Sequence, residues 1–488
     1  MFLKIFLYAV ICLIITGNSY TEAQWQSDQR LTNSSGISHT SFNNSKCIAA
    51  NGNNVHAVWS DQRNMNYEVY YKRSVDGGQN WSADQLLTNI PLTSELPSIA
   101  VSGSDVHVVW LDFRESNYSI YYKRSSDGGS SWEQDIFLTG NSGFLLYRPS
   151  IDVSGSEVHL VWEDIREGNW EIFHKRSSDG GLNWGADTRL TNNTAYSEFS
   201  SISVSGSKVY VAWTDGRSGF PNSEIYFKVS TDNGQSWGAD TRLVNSISAR
   251  YPSVSSDGSR VHVVWEDERD SNFEIYTMQS VDGGINWSAE RRLTNNSEIQ
   301  RNASVSVSGN HVHVVWDDGR DGNNVMIYYK FSSDGGLTWG ADTRLTDLTG
   351  NALSPSIAVS GPALYVIMAD TRDGDWEIYF NGNPNGNTVG IQNYSSEIPE
   401  KFELSQNYPN PFNPGTVIRY SLIENGFVTL KIYDILGNEV ATLVSENQNR
   451  GTYNYQLSTV NYQLSSGIYF YTLRTSGFTE TKKMILAK

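Results

Sequence analysis

The chain has 488 residues, 53 acidic against 36 basic, for a net charge of −17. That balance argues against nucleic acid as a partner, since a phosphate backbone is met by a basic face. It favours solubility outside a cell.

Residues 1–23 read as a secretory signal peptide: Lys4, an apolar run from Ile5 to Ile15, then Thr21-Glu22-Ala23 as a cleavage site. The run is too short for a stable membrane span, and no later stretch replaces it. Ile11 stands where a lipoprotein cysteine at Cys12 would need a small residue. Beyond the signal only Cys47 remains, so no internal disulfide forms and stability is expected from a large core.

Repeated units follow over residues 24–380. In one copy Pro97 to Ser102 is a short strand, Ser102-Gly103-Ser104-Asp105 a turn, and Val106 to Trp110 an apolar strand. After a polar loop, Ser119 to Lys123 alternates as a third strand and Ile136 to Thr139 forms a fourth. Four antiparallel strands per unit make a propeller blade. Second strands end seven times, at Trp59, Trp110, Trp162, Trp213, Trp265, Trp316 and Met368. The seventh unit ends at Phe380 with no outer strand after it, whereas Arg30-Leu31-Thr32 precedes the first unit as a spare one. That strand is expected to complete the last blade and close the ring.

The turn before each outer strand reads S-x-D-x-G-x-x-W in six copies, with Asp76, Asp127, Asp179, Asp232, Asp282 and Asp334 at 50- to 53-residue steps. The glycine permits positive φ, the aspartate accepts from turn amides, and the Trp packs the hairpin on its blade. This pattern resembles the Asp-box (BNR) repeat of sialidases and related β-propellers. The resemblance implies an all-β, seven-bladed propeller whose boxes are structural and lie opposite the usual binding face. Near-identical copies suit scaffolding better than chemistry.

A second motif, Trp59-x-Asp61-x-Arg63, recurs as Asp112/Arg114, Asp164/Arg166, Asp215/Arg217, Asp267/Arg269, Asp318/Arg320 and Asp370/Arg372. Salt bridging and loop capping are expected of it. A ring of anion-binding arginines is the competing reading, weakened by the Asp beside each Arg. The loops Asp321-Gly322-Asn323-Asn324 and Asp373-Gly374-Asp375 carry oxygen ligands, which leaves calcium open as a cofactor; turn chemistry accounts for them equally well. His56, His107, His159, His262 and His313 recur in second strands, which argues against a zinc cluster, and no metal ligand is assigned.

A ligand site is expected where the copies differ. The column two residues before the Pro that opens each first strand holds Asn44, Glu95, Tyr147, Glu198, Arg250, Arg301 and Leu353; the next holds Ser45, Leu96, Arg148, Phe199, Tyr251, Asn302 and Ser354. These residues should rim the central channel, either as an asymmetric site or as an unconstrained loop. Glu95, Arg148, Glu198, Arg250, Tyr251 and Arg301 are the ligand-binding candidates. Arg250-Tyr251-Pro252-Ser253 resembles the R-I-P start of a sialidase blade, and Tyr147-Arg148-Pro149 is a shortened echo. In that family three arginines clamp a sugar carboxylate and a Tyr activated by a Glu is the nucleophile. The resemblance therefore makes Arg250, Arg301, Glu198 and Tyr147 the catalytic candidates, while the first unit, with Asn44-Ser45-Lys46, lacks the motif.

Residues 381–401 are rich in Asn, Gly and Ser and read as a linker. Residues 402–488 open on Phe402-Glu403-Leu404-Ser405-Gln406-Asn407-Tyr408-Pro409-Asn410-Pro411-Phe412-Asn413-Pro414 and close on Lys482-Lys483-Met484. Val428 to Tyr433, Tyr453 to Leu457 and Ile468 to Leu473 alternate as half-buried strands. The segment resembles the type A C-terminal sorting domain of the type IX secretion system. That implies a small immunoglobulin-like sandwich and handling by the type IX machinery. It also implies release from, or anchoring on, the outer-membrane surface of a Gram-negative bacterium.

The leading functional reading is a secreted or cell-surface propeller binding a glycan or a protein surface at the channel mouth. An exo-sialidase-type glycoside hydrolase is the alternative, and a structural surface adhesin the third reading. Equal loops without long insertions argue against the enzyme.

Overall fold

A computed structural model describes residues 25–487 except 35, 42–45, 115–116, 141–144, 220–221, 247, 323, 348, 385–390, 396–400, 408–409, 413–414, 449 and 459–463. The signal peptide with Cys12 lies outside the described residues, as do Asn44, Ser45, Asn323, Tyr408, Pro409, Asn413 and Pro414.

Every regular element among the described residues is a β-strand. Residues 25–383 form seven antiparallel sheets. Blade 2 is typical, with Ser94–Ser102 innermost, then Asp105–Asp112, Ser119–Ser125 and Ile136–Gly140 at the rim. Second strands are apolar without alternation because each blade is covered on both faces by its neighbours, and Trp59, Trp110, Trp162, Trp213, Trp265 and Trp316 are all fully buried.

The ring closes through its innermost strands. Ile99 N donates to Lys46 O at 2.8 Å. Ile151 N donates to Ser98 Oγ (3.3 Å), Val204 N to Asp152 Oδ2 (2.8 Å) and Val254 N to Ser201 Oγ (3.1 Å). Val305 N donates to Ser253 Oγ (3.3 Å), Ile357 N to Ser304 Oγ (3.4 Å) and, at the seam, Cys47 N to Ser356 Oγ (3.0 Å). The outer strand of blade 7 is Gln29–Arg30, pairing with Phe380 and Tyr379. The closure starts earlier than Arg30, since Trp25 packs edge-on to Tyr329 at 5.0 Å as Trp132 does to Tyr71 at 4.9 Å. Trp25 and Asp28 keep the spacing of Trp81 and Asp84, so the N-terminal segment supplies the second half of a seventh box.

Three expectations are corrected. Inner strands begin three residues before the proline, as at Ser94, so Glu95 and its counterparts are strand residues paired across a bulge and not loop residues. The loop reading fails because Leu96, Arg148, Phe199, Tyr251, Asn302 and Ser354 all take φ of +51° to +58°, which kinks the strand without ending it. In blade 1, Ser38 and His39 pair with Asp61 and Ser60 as Ser94 and Glu95 pair with Asp112 and Leu111. His39, not Asn44, therefore holds the variable column. Seven residues separate His39 from Cys47 where two separate Glu95 from Ser98, an insertion of five. Lastly, Glu377–Asn383 runs into the segment read as a linker, and Ile391–Ser395 pairs with the strand Gly451–Ser458 of the C-terminal sheets.

The C-terminal sheets are ordered Ile391–Ser395, Gly451–Ser458, Gly415–Leu422, Glu403–Leu404 and Glu439–Gln448, Gly426–Tyr433, Gly467–Arg474, Thr479–Leu486. Their shared core includes Ile418, Tyr420, Leu430, Ile432, Leu457 and Leu473, giving a β-sandwich. The motif that opens it is stapled to that core: Asn407 N donates to Tyr471 Oη (2.7 Å), Asn410 Oδ1 accepts from Ile485 N (2.9 Å), and Phe412 is 2% exposed.

Candidate functional site

The repeated motifs are structural. In the first box Ser74 Oγ donates to Asp76 Oδ1 (2.7 Å) and accepts from Gly78 N (2.8 Å), while Asp76 also accepts from Asn80 N (2.9 Å) and Asn80 Nδ2 (2.7 Å). These bonds, the Asn80 amide first, hold the Asp76 carboxyl down at about 2. Each box sits on the turn between the first two strands, as Gly77 N donates to Asn53 O at 2.9 Å. That places it on the face away from the inner-strand entrances. The Asp/Arg pairs are bonded to each other in all seven blades. Arg63 donates Nε to Asp61 Oδ1 (2.8 Å) and Nη1 to Asp84 Oδ2 (2.6 Å), and its guanidinium lies 4.1 Å from the Tyr70 ring centroid. The reading of an anion-binding ring therefore gives way to salt bridging.

His56, His107, His159, His262 and His313 are core. Nδ1 of His56, His107 and His313 pairs with Oη of Tyr71, Tyr122 and Tyr329 at 2.7, 2.7 and 2.8 Å. Asp321 accepts from Tyr328 Oη (2.7 Å), and Asp373 from Tyr379 Oη and Arg30. No group of three His, Cys, Asp or Glu is arranged for a metal among the described residues.

At the other face, the inner-strand kinks turn the variable columns toward the channel mouth, and blades 3 to 6 build one continuous row. Arg148 lies 4.3 Å from the Phe199 ring centroid. Phe199 packs edge-on to Tyr251 at 4.2 Å. Arg250 and Arg301 lie 4.1 and 4.5 Å from the Phe273 centroid. Tyr118 extends the row into blade 2: its ring is 5.2 Å from Tyr147, and its hydroxyl is 3.5 Å from Glu95 Oε1. Tyr147 in turn lies 5.8 Å from Trp170. Glu95 and Glu198 are both raised above their ordinary range by burial, with Arg148 pulling Glu198 back. Glu95, Tyr147, Arg148, Glu198, Arg250, Tyr251 and Arg301 therefore share one sector of the mouth, while blades 7 and 1 present Leu353 and His39. Just ahead of the blade-1 strand Ile48–Asn51, Lys46 Nζ meets Asp152 Oδ2 of blade 3 at 2.9 Å.

Beneath the row lies a column that the sequence reading passed over, the x of W-x-D. It holds Ser60, Leu111, Glu163, Thr214, Glu266, Asp317 and Ala369, all buried. The five polar side chains among them accept the backbone N–H of the kinked residue in the next blade: Ser60 from Leu96 (3.2 Å), Thr214 from Tyr251 (3.1 Å), Glu266 from Asn302 (3.3 Å), Asp317 from Ser354 (2.9 Å) and Glu163 from Phe199. Glu163 also binds Arg148 Nη1 (2.7 Å), Glu266 binds Arg250 Nε (2.7 Å), and Asp317 accepts from Asn302 Nδ2 (2.6 Å). Burial pushes Glu163 up to about 7 against the pull of Arg148, and Asp317 up to about 8. Arg301 differs from its neighbours: among the described residues it has no carboxylate within ion-pair distance, and its buried Nε has no hydrogen-bond partner.

Residues 406–487 match the family described as secretion system C-terminal sorting domain. A search of curated proteins found no match. Among solved structures, the chain is similar in fold to the polysaccharide lyase Uly1 (9% identity, 73% of this chain and 99% of that one, TM-score 0.51). It is likewise similar to an ulvan lyase of polysaccharide lyase family 25 (10% identity, 73% and 94%, TM-score 0.51). A Trypanosoma rangeli sialidase matches more loosely (11% identity, 83% and 85%, TM-score 0.43). The sorting domain directs secretion or attachment at the outer-membrane surface. The chain is thus an all-β propeller followed by a type IX secretion system C-terminal sorting domain.

Proposed function

We propose that this is an exported glycan-binding propeller that takes an acidic saccharide on the sector of the channel mouth built by blades 2 to 6. Arg301 carries this reading. It is a half-buried cation stacked on Phe273 with no carboxylate committed to it, in a row of aromatic faces on which sugar rings can lie. Arg148 and Arg250 are bonded to the buried Glu163 and Glu266, so they shape the wall, while Arg301, which acts on Glu266 and Asp317 only at longer range, is the arginine open to a ligand anion. One of the similar ulvan lyase structures holds -[GlcA(1-4)Rha3S]-, an acidic saccharide. The test is a glycan array probed with the full-length mature protein and its Arg301→Ala variant. Retention of acidic over neutral glycans, lost in the variant, supports the reading; equal retention by both sinks it.

The hydrolase reading has one observation in its favour: Tyr251 lies within the electrostatic reach of Arg148, Arg250 and Arg301 and of Glu266. Two of those arginines are held by buried carboxylates, which is why binding is preferred. Turnover of a fluorogenic sialoside, abolished by Arg250→Ala together with Arg301→Ala, would reverse that order.

A further inference from the structure

A second site lies on the opposite, Asp-box face, where blade 5 breaks the packing rule of the other six. In third strands one position holds a ring, and each ring meets an indole edge-on: Tyr71 on Trp132 (4.9 Å), Tyr122 on Trp184 (5.1 Å), His174 on Trp237 (5.0 Å) and Phe227 on Trp287 (5.0 Å). Tyr329 on Trp25 and Phe380 on Trp81, both at 5.0 Å, complete the set. Blade 5 has Thr277 there, and Trp339, the indole of the next box, meets no ring among the described residues. Where the ring is missing, Gln279 Oε1 stands 2.5 Å from a Cβ built on Gly336, as Tyr71 Oη stands 1.8 Å from one built on Gly129. Beside it lies a pocket of about 450 Å³ lined by His262, Thr277, Met278, Gln279, Gly336 and Leu337 together with the blade-5 rim residues 288–292.

Two further differences converge on that cavity. In blades 1, 2 and 6 the second-strand histidine holds a tyrosine hydroxyl through Nδ1. His262 occupies the same position, is 1% exposed, and its Nδ1 has no partner; Gln279 Oε1 beside it has none either. Burial keeps His262 neutral, with its ring pushed down to about 3. The next third-strand residue is Lys72, Lys123, Lys175, Lys228 or Lys330 in five blades, bridging to the aspartate just before the outer strand. In blade 5 it is Met278, an adaptable thioether suited to an aromatic guest.

We propose that this slot binds a phenol ring. The ring would take the place of the missing tyrosine by displacing the unpartnered Gln279 tip, its hydroxyl paired with His262 Nδ1 and its edge toward Trp339. Space is sufficient, since a cavity of about 150 Å³ already takes a benzene. Six sibling slots show the geometry that the guest completes. The ring can come from a free small phenol or from a tyrosine of another protein.

The full-length protein is titrated with p-cresol, acetyl-tyrosine amide and toluene, followed by saturation-transfer NMR and thermal melting. Saturable p-cresol binding at least fivefold tighter than toluene, with a rise in Tm, is expected. Thr277→Tyr should melt higher and bind p-cresol at least tenfold more weakly. His262→Phe, which leaves the cavity open, should bring p-cresol down to the toluene level and keeps the test valid if Thr277→Tyr fails to fold. Binding of the amide as well points to a protein tyrosine; binding of p-cresol alone points to a free phenol. Absence of saturable p-cresol binding, or binding unchanged in both variants, overturns the proposal. Neither outcome bears on the channel mouth.

Discussion

Arg301 lies 4.5 Å from the centroid of the Phe273 ring, and Arg250 lies 4.1 Å from the same centroid, yet only Arg250 is tied to a buried carboxylate, Glu266. Their substitutions should therefore separate. Arg301→Ala is expected to leave urea stability within about 0.5 kcal/mol while weakening acidic-glycan binding at least tenfold. Arg250→Ala strands Glu266 in the interior and should cost about 2–4 kcal/mol. Paired urea melts and binding isotherms check both.

Stability should peak near pH 6–7, because burial keeps His56, His107, His159, His174, His262 and His313 neutral, and the stability tied to that is present above the unfolded value of about 6.5 and lost as pH falls below it. The box carboxyls of Asp76, Asp179, Asp232 and Asp282 are held down at about 2 by hydrogen bonds. Their contribution is present above the unfolded value of about 3.8 and is lost as pH falls through about 2. Glu163 and Asp317 are raised, to about 7 and about 8. Their contribution is complete below the unfolded values of about 4 and is lost as pH rises through 7 to 8. Melting temperature across pH 2–9 checks the shape. Asp317→Asn, which keeps an oxygen acceptor for Ser354 N, should flatten the alkaline limb; an unchanged limb would rule Asp317 out as its cause.

Asp28 accepts from Arg372 Nη1 at 2.6 Å and from Asn381 Nδ2 at 2.6 Å, and Thr32 Oγ1 donates to Glu377 Oε2 at 2.5 Å. Asp28→Ala removes the first two bonds from a site only 10% exposed, and about 1–3 kcal/mol is expected. Arg372 keeps Asp370, so the loss should fall short of a bare buried charge. Chemical denaturation of the variant measures it directly.

How much of this was legible in the sequence depended on what repeats. Asp76 and Trp81 recur because every box must make the same turn, so blades, boxes and the spare strand at Arg30 were readable. Glu163, Glu266 and Asp317 escaped because they occupy the unfixed letter of W-x-D, between residues that drew attention by recurring. Their burial depends on the neighbouring blade, which one strand's pattern cannot show. His39 escaped because five inserted residues shift blade 1 out of register with Glu95. Tyr118, Trp170 and Phe273 were indistinguishable by composition from the aromatic core, since facing the mouth rather than the blade interior is a matter of the loop that carries them.

The second glycine of each box is fixed by the neighbouring blade as well as by its own turn. A Cβ on Gly129, at φ +77°, would stand 1.8 Å from Tyr71 Oη, whereas one on Gly103, at φ +60°, would meet nothing within 4 Å. Gly103→Ala should cost about 1 kcal/mol through backbone strain alone, and Gly129→Ala about 2–4 kcal/mol because the ring must also move. Equal costs in denaturant melts would show that inter-blade contact contributes nothing.

Gln29 and Arg30 find their partners at Phe380 and Tyr379, near the far end of the propeller. Synthesised N-terminus first, the chain offers Trp25 and Leu31 long before the strand they cover exists. Blades 1 to 6 can collapse through local contacts as they appear, but the final pairing waits for almost the whole repeat array. Until then, an unlatched edge stands open to any passing strand. Ordering the last blade is therefore the slow, long-range event of folding, and once made it ties the two ends together, so that unravelling from either terminus must first release the other.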